Sequence, residues 1–119
     1  MYRGVPLNLP QPLPDPLIEL IARRFRVIGE PMRIKLLDSL REREASVSEL
    51  SKVTGASQQN VSKHLGVLLE AGIVGRRKEG NQVFYSIADE SIFRLCEEVC
   101  GGLQRQVAEL NAIVEGVGR

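Results

Sequence analysis

A mainly helical domain carrying one small β-hairpin is what this sequence predicts, and three observations predict it. Apolar residues recur at three- and four-residue spacing in several separate stretches, the repeat of helices with one buried side. Two strand-like runs, Ile73 to Lys78 and Gln82 to Ile87, flank Gly80-Asn81, a pair suited to a tight turn. The stretch before them, Ser57 to Gly72, has a helical period but carries amides, a hydroxyl and a lysine on its outer side. A short helix, a turn and a helix of that kind form a helix-turn-helix, here followed at once by a hairpin.

The elements follow in order. Pro6, Pro10, Pro12, Pro14 and Pro16 crowd the start and rule out a regular element there. Residues 1–16 are therefore expected to be a Pro-rich arm, disordered or draped over a partner subunit, with one folded domain over 17–115 and a tail over 116–119. Leu17, Ile18, Ile21, Phe25 and Ile28 mark a first helix that Gly29 ends. Pro31 suits the first turn of a second, whose buried stripe is expected to be Ile34, Leu37 and Leu40. Ser46 and Glu49 form a capping-box pair for a third helix containing Val47, Leu50 and Val53. Thr54-Gly55-Ala56 is the turn, and Ser57 caps the fourth helix. Asp89 is the expected N-cap of a long last helix reaching about Glu115.

The fourth helix suggests the function. With Val61 as the origin and about 100° per residue, Leu65 and Leu68 fall within about 40° of it, while Gln59, Ser62, Lys63 and Gly66 gather opposite. One side packs; the other offers groups able to bond base edges and phosphates in a major groove. In the hairpin, Arg76, Arg77 and Lys78 are three consecutive cations that either contact phosphates or serve as a solvated edge strand. Beside such a helix, DNA contact is the expectation. His64, the sole histidine, lies to one side of the packed stripe, either as a boundary residue or as a phosphate contact. A zinc or catalytic role has no second histidine to support it.

The whole chain is consistent with this. At 119 residues, 43% apolar, it has room for one modest core. The net charge of +1 hides an acidic last segment, since residues 89–119 hold three Lys/Arg against six Asp/Glu. No apolar run approaches the length of a membrane span and no secretory signal pattern opens the chain, so no membrane role and a cytoplasmic location are expected. The last helix has an apolar side of Ile92, Cys96, Val99, Leu103, Val107, Leu110 and Val114, too extended for a small domain to cover. The first helix also has apolar surface to hide. A homodimer through the first and last helices is expected, presenting two reading helices to half-sites about one helical turn apart. No nucleophile-base pair or phosphate-binding glycine loop is present, so an enzyme is not expected. A protein-interaction module is the other alternative, and salt-insensitive binding would distinguish it.

Pro31-Met-Arg-Ile-Lys-Leu-Leu, Val47-Ser-Glu-Leu, Asn60-Val-Ser-Lys-His-Leu, Leu69-Glu-Ala-Gly-Ile-Val and Arg77-Lys-Glu-Gly-Asn-Gln-Val-Phe-Tyr-Ser-Ile resemble, in this order, the ArsR family of bacterial winged-helix repressors. The resemblance covers residues 17 to about 110. It implies a dimeric winged helix-turn-helix, α1-α2-α3-α4-β-β-α5, that represses double-stranded operator DNA until an inducer releases it. It also implies that Gln58, Gln59, Asn60, Ser62, Lys63 and His64, with Arg76, Arg77, Lys78 and Asn81, are the DNA-contacting residues.

The inducer is less plain. The third-helix Cys-x-Cys pair of metal-sensing members is missing from Val47-Ser-Glu-Leu-Ser-Lys-Val. Their last-helix ligand positions align with Asp89, Ser91, Gly102 and Arg105, of which only the aspartate is suitable. Neither a metal nor a cofactor is expected at these two sites. There remain Cys96 and Cys100, four residues apart on one helical side, open to three readings: packing, redox or sulfur sensing, or capture of a thiophilic metalloid. Gly101-Gly102 beside them either permits close helix approach or bends the helix.

Overall fold

Each element boundary has a local chemical cause. The computed structural model describes residues 8–117, so Pro6 and the last two residues of the expected tail lie outside the described residues. Helix α1 spans Asp15–Ile28, two residues earlier than expected. Pro14 stands extended at its N-cap and a proline occupies its first turn, where a missing N–H leaves nothing unpaired. Pro14 and Pro16 therefore start the helix instead of belonging to the arm. Gly29 ends it, its N–H donating to the Phe25 carbonyl at 2.7 Å.

Helix α2, Pro31–Ser39, is capped by Glu30, whose carboxylate accepts the Arg33 N–H at 3.0 Å. Its buried residues are Leu36 and Leu37, with Leu40 just past its end, whereas Ile34 is 46% exposed. The inward side is centred between the two adjacent leucines. Arg33 shares that side and Ile34 lies about 110° away from it. Strand β1, Ala45–Ser46, is too short to announce itself by alternation, and it leads into α3, Val47–Thr54. Both capping-box bonds form, at 3.2 Å into the Ser46 hydroxyl and 2.9 Å into the Glu49 carboxylate. Leu50 is buried, whereas Val53 is 70% exposed. Gly55 takes the left-handed conformation, φ 77°, that closes the helix.

Helix α4, Gln58–Glu70, starts where the Ser57 hydroxyl accepts the Asn60 N–H at 3.1 Å. Strands β2, Val74–Glu79, and β3, Gln82–Ile87, form the hairpin. They join β1 in a three-stranded antiparallel sheet ordered β1-β3-β2, with Ala45 opposite Tyr85 and Ser46 opposite Phe84. Helix α5, Ser91–Val117, runs unbroken through Gly101-Gly102. The Asp89 carboxylate accepts from the Ser91 N–H and hydroxyl, as a cap two residues ahead of the helix.

The core is Leu36, Leu50, Val61, Leu65, Leu68, Ile73 and Val74, all but sealed from solvent. Three of these lie on α4, which is therefore the central packing element. Arg24 of α1 adds a polar tie, donating to the Ala71 carbonyl at 2.7 Å and to Asp89 at 2.5 Å. Beyond Ile92, α5 leaves Val99, Leu103, Val107, Leu110, Ile113 and Val114 each more than half exposed. On α1, Leu20 and Phe25 are likewise more than half exposed. Among the described residues no helix is long and apolar enough to cross a membrane.

Two expectations follow for unfolding experiments. Leu50→Ala should cost about 3 kcal/mol in urea, against less than about 0.5 kcal/mol for Val53→Ala, because only the former empties a filled site. Equal costs would contradict this orientation of α3. The Ser91 side chain and backbone, with Arg24, hold the Asp89 carboxyl below the usual carboxylate range. Its contribution is therefore present above the unfolded value near 3.8 and lost as pH falls through the lower, folded value. Asp89→Asn should cost about 1 kcal/mol at neutral pH, and the difference from the parent should close in acid. A difference unchanged by acid would show that the carboxylate charge is not its source.

Candidate nucleic-acid interface

The outer side of α4 is uncovered along its length. Gln58, Gln59, Ser62, Lys63 and Gly66 are exposed and Asn60 is half-buried, while Val61, Leu65 and Leu68 on the other side are fully enclosed. Lys63 enters no ion pair among the described residues, so its ammonium is available to an incoming anion. A helix free on one side and fixed on the other can enter a groove without rearranging the domain. Its amides and hydroxyl can donate and accept at base edges.

His64 does not belong to that face. It is only 9% exposed, and its Nδ1 lies 3.1 Å from the Arg33 guanidinium and 3.6 Å from the Glu30 carboxylate. Arg33 can only donate, so Nδ1 accepts and the ring proton falls to Nε2. The same guanidinium donates to the Val27 carbonyl at 2.5 Å, so Arg33 joins the end of α1 to the middle of α4. The ring thus points into the protein at the edge of the packed stripe, away from the exposed side of α4. Sequence pattern alone missed Arg33, although its place three residues before Leu36 puts it on the inward side of α2.

The three wing cations are not equivalent. Along β2, Arg76 and Lys78 share the side of Val74, and neither forms an ion pair among the described residues. Arg77 and Glu79 share the other side. The Arg77 guanidinium donates through Nε to both Glu44 carboxylate oxygens at 3.0 and 3.1 Å, through Nη2 to Glu44 again, and through Nη1 to Glu79 at 2.7 Å. Its central carbon stands 4.9 Å from the centre of the Phe84 ring. Arg77 in turn holds the Glu44 carboxyl below the ordinary carboxylate range. Asn81 is exposed at the hairpin turn, where Gly80 adopts φ 63°. Glu44 gave little warning in the sequence, being one of four alternating charges from Arg41 to Glu44.

Both thiols are free. Cys96 is half-buried at a groove of about 480 Å³ between α2 and α5, lined by Pro31, Ile34, Leu37 and Phe93, and Cys100 is exposed. Among the described residues no group of three His, Cys, Asp or Glu side chains could hold a metal ion. Asp89, which aligned with a metal-ligand position, is instead engaged by Arg24 and Ser91.

Residues 30–75 match the model of the bacterial regulatory protein family named for ArsR. The chain is 39% identical over 102 residues to Rv0081, an HTH-type transcriptional regulator of Mycobacterium tuberculosis, covering 85% of this chain and 90% of the relative. The crystal structure of Rv0081 superposes with a TM-score of 0.72, covering 79% of this chain and 95% of that one. A biofilm growth-associated repressor of Agrobacterium fabrum is 36% identical over 90 residues, 76% of this chain and 77% of its own length. A homodimeric winged helix-turn-helix DNA-binding domain from Mycobacterium bovis, solved in solution, superposes with a TM-score of 0.69 at 28% identity, covering 78% and 86%.

The buried contact on the inner side of α4 is open to a direct check. His64→Ala leaves an Arg33 N–H without its acceptor and should lower stability by about 1 to 2 kcal/mol in urea unfolding. An unchanged midpoint would mean that the imidazole holds nothing in place.

Proposed function

Because the chain belongs to the ArsR family of bacterial regulatory proteins, we propose that it is a homodimeric transcriptional repressor that reads operator DNA through α4 and braces on phosphates through the wing. The observation that carries this reading is the division of α4: three residues fully buried, and Gln58, Gln59, Ser62 and Lys63 bare on the other side. Gln58, Gln59 and Ser62 supply groups for base edges, with Asn60 at their margin, and Lys63 supplies a cation for guanine or phosphate. Arg76 and Lys78 on the wing, with Asn81 at its tip, meet the backbone of an adjacent groove. Operator binding places the protein in the cytoplasm.

The exposed apolar rows of α1 and α5 support dimerisation through those helices, as does the homodimeric relative. An unpartnered row of six aliphatic residues on a soluble helix is costly to leave in water. Two-fold pairing also places two copies of α4 on half-sites about 34 Å apart.

The inducer reading rests on Cys96 and Cys100. Neither is sealed in the core, so an oxidant or a thiophilic ion can reach both in the protomer.

Fluorescence anisotropy on the promoter of its own operon tests the main reading. Affinity should fall steeply with salt, and Lys63→Glu should weaken it at least about ten-fold by placing a charge against phosphates. Salt-insensitive binding, or tolerance of Lys63→Glu, would falsify the DNA-reading role. In sedimentation, the parent should be dimeric and a Leu103→Glu/Val107→Glu protein monomeric; a dimer that survives both changes is built elsewhere. Diamide or arsenite should release the parent from the operator but not a Cys96→Ser/Cys100→Ser protein, and identical release of the two would exclude thiol sensing.

A further inference from the structure

Resting on the DNA-binding reading, we infer that Arg77 is a positioning residue: clamped by Glu44, it fixes the angle of the wing to the helix-turn-helix instead of contacting phosphate. All three guanidinium nitrogens are committed to Glu44 and Glu79, and the plane stands over the Phe84 ring. A phosphate arriving there would meet two carboxylates around one cation, a cluster with a net negative charge. The neighbouring cations differ. Arg76 and Lys78 emerge on the other side of β2 and lack such partners among the described residues, so phosphate contact falls to them.

The place of Glu44 in the fold gives the clamp its purpose. It directly precedes β1, whose two residues are the only backbone ladder between the wing and the helices among the described strands. The second of these, Ser46, is the N-cap of α3, and α3 packs beside α4. Val74 and Tyr85 seat the base of the wing in the core, while two residues of pairing add little resistance to twisting of the part beyond it. The fork from Arg77 in β2 to Glu44 adds an attachment one strand further out, bracing β1 across β3. Phe84, the β3 residue opposite both Ser46 and Arg77, fills the space under it. An isolated exposed ion pair contributes little, but a bidentate fork with a second carboxylate and an aromatic floor is a network with defined geometry. Its effect is on the relative placement of two DNA-binding parts, where a small misplacement weakens both.

Operator binding by the parent and by Arg77→Ala, Glu44→Gln, the double variant, Arg77→Lys and Arg76→Ala, measured across a range of salt, decides the matter. A positioning role predicts that Arg77→Ala and Glu44→Gln each weaken binding on the order of five-fold with the salt slope unchanged, and that the double variant is no worse than either. Arg77→Lys, which keeps the charge but loses the fork, should resemble Arg77→Ala. Arg76→Ala should lower the slope by about one. The proposal is overturned if Arg77→Ala lowers the slope by about one, if Glu44→Gln tightens binding by freeing a cation, if Arg77→Lys binds like the parent, or if none of the changes matters. Should Arg77→Ala fail to fold, Glu44→Gln and Arg77→Lys still separate the roles. A parent that shows no salt-dependent operator binding instead defeats the DNA reading on which this rests.

Discussion

Burial of one side of α4 is the constraint on which everything else depends. Val61, Leu65 and Leu68 sit at the centre of the core, in contact with the layer formed by α2, α3 and the first residue of β2. Removing three aliphatic side chains from water stabilises the domain by several kcal/mol at about 1.5 to 3 kcal/mol each. The same contact sets the rotation of the helix about its axis. Once those three point inward, the helical period leaves Gln59, Ser62 and Lys63 pointing outward. The closed side and the open side of α4 are two consequences of one hydrophobic contact.

The arginines divide the remaining work. Arg24 and Arg33 turn inward and pair with carbonyls, a carboxylate and an imidazole at the corners where helices meet. Arg77 lies along the sheet, and Arg76 reaches into solvent. Arginine suits the inward positions because its planar fork satisfies several acceptors at once and its stem packs among apolar neighbours. The protein thus spends part of its positive charge on architecture, and the charge left for a polyanion is smaller than the composition suggests.

Much of the architecture could be read in the sequence, because it is written in local signals. Ser46 with Glu49, Ser57, Pro31 and Gly55 each act within one turn of chain, and each marks a boundary that is observed. Side-chain orientation on short helices was harder. On α2, two turns carry too few apolar residues to define a direction, so Ile34 was expected inside and lies outside. Strand β1 was missed because two residues have no period. In the candidate site, the outer residues of α4 were legible from the helical count. The parts assigned to His64 and Arg77 depend on Arg33, Glu30 and Glu44, which are distant in sequence, and no local pattern brings them to mind. Wherever a residue's role is set by a partner on another element, composition shows the charge but not where it is directed.

The bridge made by Arg24 has a mechanical consequence. One guanidinium holds the carbonyl just past the end of α4 and the carboxylate just ahead of α5, so those two ends are pinned to a common point on α1. Cys96 lies less than two turns from that pin, and α5 extends beyond it for about 40 Å over its 27 residues. A tilt at the distal end of so long a lever is delivered, reduced in amplitude, at the pivot. The end of α4, the start of α5 and the middle of α1 are in this way held as one unit.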